Sequence, residues 1–116
     1  MKLNDIFKHA ARLAGTGEEF LGENETENFR ARALDAINSV LFDLCEKEPY
    51  EGLMCDADIT DKAADAAVYG TAMFLSLAYG DTDKSTLYSS IYNGKRAAVK
   101  SSIGEISDVL PRTGAV

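Results

Sequence analysis

The chain has 116 residues, of which 19 are Asp or Glu and 12 are Lys or Arg, so its formal net charge at pH 7 is −7. This length predicts one domain with a modest hydrophobic core, and the acidic balance disfavours a protein that wraps nucleic acid, because that affinity comes from Lys and Arg. No apolar run approaches the roughly 20 residues of a membrane span. We expect a cytoplasmic location, since no positively charged start precedes an apolar run.

The charge is distributed unevenly along the chain. Residues 1–17 sum to +2, residues 18–83 to −12 and residues 84–116 to +3. Opposite charges on different parts of a chain suit a surface that meets a partner or another copy, because complementary potentials steer such contacts. An ordinary acidic soluble domain would explain the net charge equally well.

The N-terminal residues predict a first amphipathic helix. Asn4 or Asp5 is its candidate N-cap, and the glycines of Gly15-Thr16-Gly17 end it. One helical face carries all of its larger apolar residues, at the spacing of a half-buried helix. These residues are Ile6, Phe7, Ala10, Leu13 and Ala14.

A long second helix is predicted to begin near Asn24, after an acidic connection over residues 18–28 in which Phe20 and Leu21 fold back onto the core. Pro49 forbids its continuation. Its apolar stripe holds for about five turns of helix. The stripe consists of Phe29, Ala33, Leu34, Ile37, Val40, Leu41, Leu44 and Cys45.

Residues 59–80 predict a central helix, with Thr60 or Asp61 as its N-cap and Gly80 as its stop. From Ala66 to Tyr79 the sequence is apolar or small on almost every face, which indicates a helix covered on several sides. Small residues would let neighbouring helices approach it closely. Larger ones would fill the space between them, namely Val68, Met73, Phe74, Leu75 and Leu77.

A polar turn over residues 81–85 predicts the start of a fourth helix, with Leu87, Tyr88, Ile91, Tyr92, Lys95, Ala98 and Val99 on it. The last residues are too apolar for a solvated tail, yet Gly104, Pro111 and Gly114 disfavour a helix there. We therefore predict an all-α fold: a bundle of four to five helices with a long second helix, a buried central helix and an irregular C-terminal tail. The predicted division is a helical domain, residues 1–102, and a docking tail, residues 103–116.

No arrangement of residues suited to catalysis is evident. The chain has one histidine, His9, which we expect to be solvated, and two cysteines, Cys45 and Cys55, which we expect to be reduced and near the core. The segment starting Asp81-Thr82-Asp83 fails as a calcium loop, because its sixth position is Thr86 where glycine is required. The sequence predicts no catalytic, cofactor or metal site, and a protein that is not an enzyme.

The connection over residues 46–58 is longer than a helix hairpin needs, and loops of this size often bind partners. The segment Leu53 to Asp58 is therefore a candidate binding loop. Alternatively, Leu53 and Met54 cover the end of the bundle.

Three features carry a resemblance to a known family. They are the long second helix, the Ala-rich segment Ala66 to Gly80, and the pairing of Tyr92-Asn93-Gly94-Lys95-Arg96 with Ile-x-x-Ile-x-Asp-Val-Leu-Pro over residues 103–111. From about residue 26 onward the chain resembles the head–tail connector, or head-completion adaptor, proteins of tailed bacteriophages and prophages.

The resemblance implies a structural subunit that assembles in the host cytoplasm into a ring between portal and tail, and then sits in the virion neck, extending the DNA channel. The implied partners are the portal protein, neighbouring connector subunits and the tail-completion protein, with no cofactor, no membrane and no specific nucleic-acid binding. The implied docking residues are Lys95, Arg96, Ile103, Ile106, Asp108, Val109, Leu110 and Pro111.

Two other classes of function compete with this interpretation. One is a regulatory helical module that binds a partner protein through the loop Leu53 to Asp58. The other is a nucleic-acid binder that uses Lys95, Arg96, Lys100 and Arg112, which the overall negative charge disfavours.

Overall fold

The computed structural model describes the backbone of residues 1–15 and 23–115, and the side chains of residues 1–15 and 27–101. Its helices are α1 (Leu3–Ala14), α2 (Glu23–Cys45), α3 (Asp61–Ala78) and α4 (Thr82–Ala115). The described backbone holds no strand, and Lys2 and Asp56 form an isolated antiparallel bridge. The predicted all-α class is confirmed, with four helices and no fifth over these ranges.

The apolar stripes predicted for α1 and α2 are confirmed. Ile6, Phe7, Ala10 and Ala14 of α1 are buried, and Leu13 packs against them at the edge. The stripe of α2 is buried from Phe29 to Leu44, with Leu34 and Cys45 half-buried. The predicted Asn24 cap and the fold-back of Phe20 and Leu21 lie outside the described residues.

Helix α3 contacts each of the other three helices. Of the two predicted N-cap candidates, Thr60 is the cap: its hydroxyl accepts a hydrogen bond from the Ala63 amide at 3.2 Å. Gly80 follows the helix in the left-handed conformation with φ of 76°. A Cβ on Gly70 would lie 2.9 Å from the Tyr92 ring and 2.9 Å from Val40 Cγ1. The side chains of α2 and α4 therefore pack directly on the backbone of α3 at this glycine.

The prediction of a buried central helix, covered on several sides, is wrong for the C-terminal half of α3. Phe74 and Leu77 are 42% and 57% exposed. Across from them α4 presents the small side chains of Thr86, Ser89 and Ser90. These side chains are too short to cover an aromatic ring and a leucine, so this part of α3 stays open.

The first turn of α1 is capped by the distant loop instead of by its own side chains. The helix begins at Leu3, and its N-cap residue Lys2 makes no side-chain cap. The amides of Leu3 and Asn4 donate to the carbonyls of Cys55 and Leu53, at 3.0 and 2.7 Å. The predicted cap at Asn4 or Asp5 is therefore wrong, because loop carbonyls supply the acceptors that these amides need.

The loop between α2 and α3 is held at Tyr50. Its amide donates to Asn38 Oδ1 at 2.9 Å, its carbonyl accepts from Asn38 Nδ2 at 3.0 Å, and its hydroxyl accepts from the Asp58 amide at 3.2 Å. The Ala57 amide also donates to the Met1 carbonyl at 2.8 Å. The loop backbone is thus fixed to α2 and to the start of the chain.

Replacing Asn38 with alanine should loosen this loop, because the substitution removes both hydrogen bonds to the Tyr50 backbone. We expect a loss of about 1–2 kcal/mol in the free energy of unfolding, measured by urea denaturation, and faster proteolytic cleavage after Lys47. The neighbouring exposed Ser39→Ala serves as the control and should change neither quantity. Equal cleavage rates in the two variants would contradict this prediction.

Helix α4 is the longest described helix, with 34 residues against 23 for α2. It starts at Thr82, and Asp81 Oδ1 accepts a hydrogen bond from the Lys84 amide at 3.0 Å. It runs through Gly104 and Pro111 to Ala115. The predicted irregular tail over residues 103–116 is therefore wrong up to Ala115. The helix continues through these residues although Pro111 lacks the amide that would donate to the Ser107 carbonyl. The predicted boundary between residues 102 and 103 falls inside α4.

Candidate docking surfaces around helix α4

A three-residue polar cluster joins α4 to α2. Arg96 Nε donates to Asp43 Oδ2 at 2.6 Å, and Arg96 Nη2 donates to Oδ1 at 3.1 Å. The hydroxyl of Tyr92, a buried side chain, donates to the same Oδ2 at 2.6 Å. The carboxylate thus accepts a forked guanidinium pair and a phenol, the geometry of a strong charge-assisted contact.

The electrostatics of this cluster follow from its hydrogen bonds. The bond from Arg96 holds the pKa of the Asp43 carboxyl below its usual value, although partial burial opposes that effect. Burial, followed by the bond to Asp43, raises the pKa of the Tyr92 hydroxyl well above its usual value. Tyr92 therefore stays protonated and serves only as a donor to Asp43.

Acidification should weaken the bundle through Asp43. Because its pKa is depressed in the folded state, its contribution to stability is present above the unfolded pKa of about 3.9 and is lost as the pH falls through the folded value. We expect Asp43→Asn to be less stable than wild type at pH 7, with the difference shrinking below about pH 4. Urea denaturation across pH measures this.

The exposed Asp35→Asn, also on α2, is the matched control for this charge removal. It should follow the wild-type profile within about 0.5 kcal/mol. A constant difference between wild type and Asp43→Asn down to pH 2 would contradict the assignment.

Lys95 joins α4 to α3 in the same way. Its ammonium group donates to Asp65 Oδ2 and lies 5.2 Å from the centroid of the Tyr69 ring. The hydrogen bond to Asp65 raises the pKa of the Lys95 ammonium. The Tyr69 ring packs in turn against Tyr88, with centroids 6.1 Å apart.

The predicted docking cations are therefore already paired within the chain. Lys95 and Arg96 each contact an acidic residue of a neighbouring helix, and their side chains remain 36% and 40% exposed. Sequence reasoning missed these pairs because Asp43 and Asp65 lie far from them along the chain. The other predicted docking residues have their backbone in α4 and their side chains outside the described set. They are Ile103, Ile106, Asp108, Val109, Leu110 and Pro111.

The inner face of α4 has an apolar register that continues beyond α3. Tyr88, Tyr92 and Val99 are buried, and steps of three, four and seven residues continue this face to Ile103, Ile106 and Leu110. The two helices are antiparallel, and the Lys95–Asp65 contact places residue 99 level with Asp61, the first residue of α3. We call residues 103–115 the α4 extension; it is about 20 Å of helix and lies wholly past that level.

A groove opens between α3 and α4 at the opposite end of the bundle. Its volume is about 490 Å³. Its apolar side is formed by Met73, Phe74 and Leu77 of α3, and no charged side chain lines it. The α4 side consists of Ser85, Thr86, Ser89, Ser90 and Asn93. Sequence reasoning missed this α3–α4 groove, although the run of small hydroxyl residues on α4 was a signal for it.

A second depression, of about 480 Å³, lies between α1 and α3. His9 and Arg12 line it from α1, and Asp61 and Asp65 line it from α3. His9 is exposed, as predicted. Basic side chains of α1 and acidic side chains of α3 therefore line the same depression. Among the described residues no ion pair joins these two helices, and the surface is mixed in charge.

The described side chains offer little for other kinds of site. Over residues 1–15 and 27–101, no group of three His, Cys, Asp or Glu residues could hold a metal ion, and Cys45 and Cys55 are free thiols, both half-buried. None of the helices in the described ranges is long and apolar enough to cross a membrane. Comparison of the chain with protein-family models, curated proteins and solved structures finds no match.

Proposed function

We propose that this protein is a structural subunit of a phage head–tail connector, which assembles into a ring between portal and tail and carries out no reaction. The observation that carries the proposal is the apolar face of α4, which continues past the end of α3 into the α4 extension. An apolar helix face beyond the bundle is stabilised when another chain covers it.

The α4 extension is amphipathic in helical register. At 100° per residue, Ile103, Ile106 and Leu110 share one face. Its three charged residues, Glu105, Asp108 and Arg112, lie together on the opposite face. A helix with this division can place its apolar face against a protein partner while its charges stay in water. This pattern supports protein binding over solvation as a free tail.

In this proposal Lys95 and Arg96 position α4 instead of contacting the partner. Their bonds to Asp65 and Asp43 fix α4 against α3 and α2 just before the extension begins. The extension then leaves the bundle in one direction. Such pre-orientation lowers the entropic cost of binding, because less freedom is lost on docking.

The resemblance supplies the identity of the partners: the portal protein, neighbouring subunits and the tail-completion protein. The competing regulatory function through residues 53–58 has less support. That loop is held by backbone hydrogen bonds to Leu3, Asn4 and Met1, and its one largely exposed apolar side chain is Met54. We therefore place the binding surface on α4.

Binding to the portal protein of the same genome tests the proposal. Ile106→Asp puts a charge on the apolar face of the extension, so we expect portal binding to fall at least tenfold, measured by co-sedimentation with purified portal rings. Ser101→Asp is the matched control, since Ser101 is exposed and lies in register with the charged face. Helical content by circular dichroism should be unchanged in both variants.

Deletion of residues 103–116 should abolish portal binding while residues 1–102 keep their thermal transition. Full portal binding by both the deletion and Ile106→Asp would refute the proposed docking role. A wild-type chain that does not bind the portal at all would refute the proposed function itself.

A further inference from the structure

We infer that the α3–α4 groove receives the α4 extension of a second copy of this chain. This inference rests on the proposed function, because it takes the extension as a binding element, and it adds the surface that accepts it. Each copy then has one groove and one extension, and successive copies join head to tail.

The groove has the character of a helix-binding surface. Phe74 and Leu77 form its exposed apolar side, and hydroxyl and amide side chains of α4 form the other. Burying apolar area of this kind contributes about 25 cal/mol per Å². Since the lining carries no charge, a charged occupant would lose its hydration without gaining a partner. The groove therefore selects an uncharged apolar face.

The α4 extension presents such a face in register. Ile103, Ile106 and Leu110 lie on it, with Ser107 at its edge, and the charged residues lie on the other side. The lengths also match. Groove residues Ser85 to Asn93 span about 12 Å of helix, and Ile103 to Leu110 span about 11 Å. Two to three turns of the extension would fill the groove.

The extension that fills the groove must come from another copy. Groove and extension lie on the same continuous helix, with the groove beside residues 85–93 and the apolar face at residues 103–110. About 25 Å of helix separates their centres, so the extension cannot fold back without breaking α4. A contact between two different surfaces of one chain type is heterologous, and its repetition gives a closed ring or an open filament.

Two complementary variants test this inference. Leu77→Asp charges the groove and leaves the extension intact, whereas Ile106→Asp charges the extension and leaves the groove intact. In sedimentation velocity over a concentration series, wild type should form species larger than a dimer, and each variant alone should stay monomeric. An equimolar mixture should give a one-to-one heterodimer and nothing larger, because a single productive contact remains.

Leu87→Asp is the matched control, since Leu87 is an exposed leucine outside the groove lining. It should associate like wild type, and circular dichroism should show equal helical content in all variants. A wild-type chain that stays monomeric, a Leu77→Asp variant that associates normally, or a mixture without heterodimer would each overturn the inference. Portal binding separates the two claims. An extension seated in a groove cannot also contact the portal, so monomeric Leu77→Asp, whose extension is free, should bind the portal at least as tightly as wild type. A wild-type chain that self-associates but does not bind the portal would refute the proposed function and leave the inference standing.

Discussion

Replacing Phe29 with alanine should cost about 3–5 kcal/mol in the free energy of unfolding, the largest effect that we expect from one substitution. The ring is 2% exposed. It lies 5.4 Å from the Phe7 ring and 5.7 Å from the Tyr79 ring, measured between centroids. Its loss removes transfer free energy and leaves a cavity where α1, α2 and the end of α3 meet. Since small domains are stable by about 5–15 kcal/mol, much of the total would be lost.

Phe42 provides the matched control in the same helix, because its side chain is 62% exposed. Phe42→Ala should change the free energy of unfolding by less than about 0.5 kcal/mol. Urea denaturation followed by circular dichroism measures both variants. Similar midpoints for Phe29→Ala and Phe42→Ala would contradict the packing of α2 on α1.

Gly70→Val should destabilise the bundle by about 3 kcal/mol, the upper end of the usual cost of overpacking. The added Cβ alone would lie within 3.0 Å of two side chains, Tyr92 and Val40. Neither can move away easily, because the Tyr92 hydroxyl is bonded to Asp43 and a β-branched valine has a restricted χ1 in a helix. The two contacts would force α2 and α4 away from α3.

Gly94 is a glycine of helix α4 that has open space beside it, since a Cβ added there would meet nothing within 4 Å. Gly94→Val should therefore be nearly neutral, because valine is slightly better than glycine in a helix interior. Comparing the two valine variants by thermal denaturation separates the packing effect from helix propensity. Equal melting temperatures would show that Gly70 is not a close-packing site.

The helical spacing of apolar residues predicted the parts of the fold in which a helix buries a single face. The apolar stripes of α1 and α2 were predictable because each of these helices keeps one face buried and the opposite face in water over several turns. The start of α3 was predicted because a threonine cap acts within one turn, on the amide of Ala63. Local chemistry of this kind needs no knowledge of the rest of the chain.

The errors arise where distant residues decide the outcome. The acceptors for the Leu3 and Asn4 amides lie in the loop before α3, so no local cap rule could find them. The exposure of Phe74 depends on which residues of α4 face it across the groove, and the sequence of α3 does not reveal that pairing. The hydrogen bond from Arg96 to Asp43 was missed because the two residues lie 53 positions apart along the chain.

The capping of α1 by loop carbonyls constrains the order of folding during synthesis. Leu3 and Asn4 leave the ribosome long before Leu53 and Cys55, which supply their acceptors. A lone helix of 12 residues is marginal in water. Helix α1 therefore gains its cap only after residues 53–55 have been synthesised, and until then its first turn stays available to chaperones and proteases.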